Sequence, residues 1–174
     1  MTTADTAPET ADQLRTTVCP GCGAVLVATP DADGQHPGAS ASCWRLFQVT
    51  VRGLRDEAAQ DLQTAALLQL ARDTYDAQHQ LPGEPAAAAL RLYLERDRGQ
   101  GPLAAAALAA RVDDAALRSL QRPARWTTTV ADLAADLDVV DLPALVGAWA
   151  DATWADWAPA APELRRAADT ALTS

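Results

Sequence analysis

Beyond residue 42 apolar side chains recur at three- and four-residue steps, and each such run is bounded by residues that start or stop a helix. Trp44, Phe47 and Val51 mark one face of a helix over about 43–55, and Ser40 or Ser42 is placed to cap its free N–H groups. Leu62, Leu67, Leu70 and Tyr75 share related faces of a longer helix, which must end near His79 because Pro82 and Gly83 cannot continue it. Further helices are predicted over about 85–97, 103–120, 129–137, 142–157 and 162–172. Prolines 85, 102, 143 and 162 sit at or near their starts, where a missing N–H costs nothing. No fixed-period repeat is present, which disfavours a solenoid.

The first forty residues follow a different rule. Residues 1–16 are polar and aperiodic and read as a disordered tail. From Val18 to Pro30 the text V-C-P-G-C-G-A-V-L-V-A-T-P is a tight turn between short β-prone pieces, a hairpin-like knuckle. Residues 31–41 carry Asp, Gly, Pro and Ser in quick succession and read as a loop. The expected fold is mainly α: a helical bundle with a small N-terminal knuckle on a short β-hairpin. Residues 17–174 are read as a single domain, 17–50 being the knuckle with its first helix and 51–174 the bundle.

Composition narrows the partners. Apolar residues make up 49 % of 174, but much of that is alanine, so the core should lean on leucine and the five tryptophans. The net charge is -9 with no lysine, a balance that repels phosphate backbones and excludes nucleic acid as the expected partner. The arginines from 91 to 98 and from 118 to 125 form only short clusters and read as solvated faces. Residues 128–149 mimic a helix-turn-helix, yet 141–156 holds no Arg, Lys, Asn or Gln to read a base. No apolar run is long enough to span a bilayer, and the N-terminal stretch has neither the positive start nor the apolar core of an export signal. No membrane partner and a cytoplasmic location are therefore expected.

Three cysteines in a reducing compartment argue for metal binding over disulfides. In Cys19-Pro20-Gly21-Cys22-Gly23, two thiols reach one ion if the backbone turns sharply between them. Gly21 permits the close approach, and Gly23 can take the left-handed conformation such a knuckle requires. Cys43, at a helix start, supplies a third sulfur where the helix dipole favours the thiolate. Zinc prefers four ligands in closed sites, and only two histidines are available. His79 is the preferred fourth ligand because it would tie the knuckle to a second helix. His36, in the Gln35-His36-Pro37-Gly38 loop, is the alternative and would close a shorter loop. Tyr75, Gln78 and His79 fall on one helical face as a polar cluster beside the metal, while Asp73 lies nearer the opposite, solvated side.

With these residues in view, the sequence resembles a bacterial family of small proteins of unknown function that carries C-P-G-C-G, a T-H-P loop, a C-W helix start and a D-A-Y-x-x-Q-H-P helix end. They stand here as Cys19 to Gly23, Gln35-His36-Pro37, Cys43-Trp44, and Asp73-Thr74-Tyr75-Asp76-Ala77-Gln78-His79. The tryptophan-rich stretch from Trp149 to Trp157, preceded by Thr129-Val130-Ala131-Asp132, extends the likeness over nearly the whole chain after the tail. The family usually has further histidines that are missing from 86–94 and 158–164 here, and Gln80-Leu81 is inserted before Pro82-Gly83.

Two functions follow as expectations. The first is a zinc-stabilised binding or scaffold module, because three thiolates and an imidazole make a closed site of low Lewis acidity. The alternative is a zinc-containing enzyme of small-molecule metabolism, with a pocket near His36, Tyr75 and His79 as the candidate catalytic residues. The partner, protein or small molecule, is not written in the residues.

Overall fold

A computed structural model describes residues 15–29 and 36–173. Residues 1–14 of the expected tail and much of the loop expected over 31–41 lie outside the described residues, while Thr16, read as the end of that tail, belongs to a strand. Strand β1 (Thr16–Val18) pairs antiparallel with β2 (Val25–Val27) in the register Thr16↔Val27, Thr17↔Leu26, Val18↔Val25. Alternation turns Leu26 toward the helices and leaves Val18, Val25 and Val27 exposed.

Helix α1 (Ala41–Thr50) starts under the Ser40 hydroxyl, which accepts from the Cys43 N–H at 3.2 Å, so Ser40 rather than Ser42 is the cap. The single helix expected over 43–55 is broken at Val51, whose ψ of 10° turns the axis before α2 (Arg52–Glu57). The β-branched Thr50-Val51 pair and Gly53 make this the weakest stretch for a continuous helix. Helix α3 (Leu62–His79) is capped by Asp61, whose carboxylate accepts from the Thr64 N–H at 2.7 Å. It ends where expected: Gln80 is extended, and Gly83 beyond it takes φ 82°.

After α4 (Ala87–Arg96) the chain again departs from the expected pattern. The helix predicted over 103–120 is two, α5 (Pro102–Ala109) and α6 (Asp114–Arg118), because the Asp113 side chain accepts from the Ala115 N–H and starts a new helix. Helix α7 (Val130–Ala135) opens with a Thr129/Asp132 capping box. Helix α8 (Leu142–Asp156) is capped by Asp141, and a 3-10 turn over Ala158–Ala160 leads into α9 (Ala161–Thr173).

Helix α3 is the hub and packs against α2, α4 and α8. One apolar cluster joins the knuckle, α1, α3, α7 and the first half of α8 around Phe47, Tyr75 and Trp149. A second joins α4, α5, α6 and α9 around Leu90, Tyr93, Leu117 and Trp157. Trp149 and Trp157, eight residues apart, thus serve different clusters. Asp73 is not solvated: it is fully buried and paired through Oδ1 with Arg91 Nε at 2.6 Å, since its side of α3 faces α4. Among the described residues no helix is long and apolar enough to cross a membrane.

Candidate metal centre

Cys19 follows β1 directly. Its N–H donates to Ala24 O and its carbonyl accepts from the Gly23 N–H, both at 2.9 Å, which folds the chain back within five residues. Gly23 takes φ 78°, the left-handed conformation this turn requires. Cys43 sits in the first turn of α1 and His79 is the last residue of α3. Three separate pieces of chain therefore deliver Cys19, Cys22, Cys43 and His79 to one place, where one donor atom of each lies within 4.8 Å of all the others. All four are buried, Cys43 and His79 completely.

The edges of this group are informative. Cys22 Sγ lies 3.7 Å from Cys43 Sγ, and His79 Nε2 lies 3.3 Å from Cys19 Sγ and 3.4 Å from Cys43 Sγ. A tetrahedron with metal–sulfur bonds of about 2.3 Å and a metal–nitrogen bond of about 2.0 Å has edges of roughly 3.5–3.8 Å. A buried Cys3His group of this size is able to hold a metal ion.

The surroundings prepare these donors. His79 Nδ1 lies 2.7 Å from the Tyr75 carbonyl, which can only accept, so Nδ1 carries the proton and the Nε2 lone pair faces the sulfurs. The Tyr75 ring stacks on His79 at 3.9 Å and on Phe47 at 4.2 Å, and its hydroxyl donates to Cys43 Sγ at 3.5 Å. The Ser40 N–H donates to Cys19 Sγ, also at 3.5 Å.

The thiols also constrain one another. Hydrogen bonds from the Cys22 and Cys43 thiols hold the Cys19 thiol below its usual range. The Cys19 sulfur in turn pushes Cys22 up to about 11 and, together with Cys22 and burial, raises Cys43. Burial, then the Cys43 sulfur, raises Tyr75, which stays a neutral donor. In so dry a place the sulfurs resist full ionisation unless a cation joins them.

Two glycines and an arginine set the group's position. A Cβ on Gly21 would collide with the His79 ring and lie 2.6 Å from Gly38 O, and one on Gly38 would collide with the His79 carbonyl. Arg122, in the segment between α6 and α7, donates Nη1 to Gly21 O at 3.0 Å and Gln78 O at 3.1 Å, and Nη2 to Pro20 O at 2.8 Å. Trp126 Nε1 also donates to Gly21 O, at 3.0 Å. The knuckle turn and the end of α3 are thus stitched together from more than forty residues away. Sequence reasoning missed Gly38, Arg122 and Trp126; only Gly38, in its His-Pro-Gly loop, carried a local signal.

The remaining sequence candidates fall outside the group. His36 accepts from the Gly38 N–H through Nδ1 at 3.2 Å and lies 3.4 Å from Asp76 through Nε2, so both ring nitrogens face away from the sulfurs. It borders a cavity of about 220 Å³ with Asp76, Gln80, Glu84 and Arg91. Tyr75 and His79 do not line that cavity and are wholly buried; the His36 ring, which does line it, meets theirs at 5.5 and 5.7 Å. Gln78 turns from the sulfurs: its amide donates to Thr128 O at 2.7 Å and Thr153 Oγ1 at 3.1 Å, and accepts from Trp149 Nε1 at 3.3 Å.

No curated protein and no solved structure matches the chain. A family model does, over residues 17–158, from the hairpin to the first residue of the 3-10 turn and short of α9. The match takes in all four converging residues and the arginine that braces them, and on its extent the chain belongs to the family of unknown function DUF5946.

Proposed function

We propose that this is a zinc protein in which Cys19, Cys22, Cys43 and His79 hold the ion, that the metal is chiefly structural, and that the body it stabilises works as a binding or scaffold module in the cytoplasm. The observation that carries the reading is the convergence of four buried donors from the knuckle, α1 and α3 within 4.8 Å. Three thiolates and an imidazole suit zinc over harder divalent ions. They also fill its four preferred positions, leaving no place for a substrate. The two-stranded hairpin has three outward valines and little core of its own, so a metal cross-link supplies what its packing lacks. Structural zinc is worth about 10–16 kcal/mol in small peptides, comparable to the whole stability of an ordinary domain, about 5–15 kcal/mol.

Metal analysis of the purified chain is expected to give one zinc per molecule. Cys22→Ala is expected to lose the ion and the fixed packing of the knuckle, and His79→Ala to weaken zinc binding, whereas His36→Ala keeps one full equivalent. A Cys22→Ala protein with unchanged helix content and melting temperature would overturn the structural role. Zinc retained by His79→Ala but lost from His36→Ala would overturn the ligand assignment.

A further inference from the structure

We propose that the hollow over the knuckle turn is a binding site for a small anion carried on a flat ring, an aryl carboxylate or aryl phosphate. The hollow encloses about 410 Å³, within the range of small-molecule sites, and is walled by the Cys19–Gly23 turn, Arg122, Arg125 and Trp126. Among the described residues that wall it there is no carboxylate, in a chain with 23 acidic residues against 14 arginines.

Both arginines keep their charge available. Arg122 is fixed by three carbonyls, which orient the guanidinium without neutralising it. Arg125 is exposed and has no hydrogen bond or ion pair among the described residues. The other hollows bordered by arginine lack this combination. The one beside His36 sets Asp76 and Glu84 against Arg91. A neighbouring hollow shares Arg122, but its second arginine, Arg118, is paired with Asp114 at 3.4 Å. Trp126 supplies the apolar wall, its indole held in place by the bond to Gly21 O.

The charge count selects the ligand. Two guanidiniums with no carboxylate beside them suit one oxyanion group, a carboxylate or a phosphate monoester, and supply too little charge for a polyanion. A guanidinium fork receives a carboxylate or phosphate edge bidentately. The site does not depend on which ion the four donors hold.

The test uses the metal-loaded full chain labelled with nitrogen-15. Benzoate and phenyl phosphate are titrated separately while the indole N–H signals are followed, the Trp126 signal being assigned by its loss in Trp126→Phe. A saturable shift at Trp126 is expected with at least one of them, with acetate and inorganic phosphate binding at least tenfold more weakly. Arg125→Gln should weaken binding at least fivefold and Arg125→Glu should abolish it. Both variants should keep their metal and melting temperature, since Arg125 braces nothing. No saturable shift with either aryl anion, or an unchanged titration in Arg125→Glu, overturns the proposal. Equal binding by acetate or inorganic phosphate overturns the role of the ring. Zinc content measured on the same samples separates this outcome from that of the metal assignment.

Discussion

Gly38 lies against the last residue of α3 so closely that a Cβ on it would stand 2.7 Å from the His79 carbonyl carbon. The loop before α1 and the end of α3 meet through bare backbone there, and the meeting holds His79 beside the sulfurs.

Gly38→Ala should therefore destabilise the protein by about 1–3 kcal/mol, the usual cost of forcing atoms into a packed interior. Gly53→Ala is the control: it stands in α2 with open space around it, and should be neutral or stabilising by about 0.5–1 kcal/mol. Chemical denaturation of both variants beside the parent decides the matter. Equal stability of Gly38→Ala and parent would mean that the loop does not dock on His79.

Glu95 gives a pH dependence of definite sign. Burial first, then the charge of Asp73, raises its carboxyl from 4.5 to about 7, against the pull of Arg96 and Arg91, and its Oε1 has no hydrogen-bond partner among the described residues. Between those two values the folded state binds more protons than the unfolded state. This group's contribution is thus fully present below about 4.5 and is lost as the pH rises through about 7. Glu95→Gln should gain on the order of 1–3 kcal/mol over the parent at pH 8, and the gain should shrink toward pH 5. Unfolding titrations of both proteins across this range test it; a constant difference would show that Glu95 titrates normally.

Arg122 is the outer brace of the centre. Removing it leaves the carbonyls of Pro20 and Gln78 without this donor and that of Gly21 with Trp126 alone. Arg122→Ala should speed metal loss to a chelator about tenfold, equivalent to about 1.4 kcal/mol on the barrier. Arg122→Lys should recover little, because an ammonium on a flexible stem does not reproduce a planar fork. Release rates indistinguishable from the parent would show that the brace is incidental to metal retention.

Local signals carried the site's outline and several element ends. The C-P-G-C-G turn, the Ser40 cap and the stop after His79 each depend on residues within a few positions of one another, and each stands in the structure as the text suggested. What escaped depends on which surfaces meet. Asp73 and Gln78 are both polar residues of one helix; α4 covers the first with Arg91, and α8 meets the second with Trp149 and Thr153. Helical spacing orders residues around an axis and is silent about what lies opposite. Likewise Trp149 and Trp157 follow one stripe, but the second closes α8, where the chain turns toward α9 and a different cluster. Nothing near Arg122 in the text hints at Gly21, 101 positions earlier.

The order of these groups along the chain also bears on biosynthesis. Cys19, Cys22, Cys43 and His79 all precede residue 80, whereas Arg122, Trp126 and Trp149, which close over them, come much later. A ribosome making this polypeptide releases the complete sulfur and imidazole set while its roof is still untranslated. For the zinc proposed above, loading before that closure is then the open route.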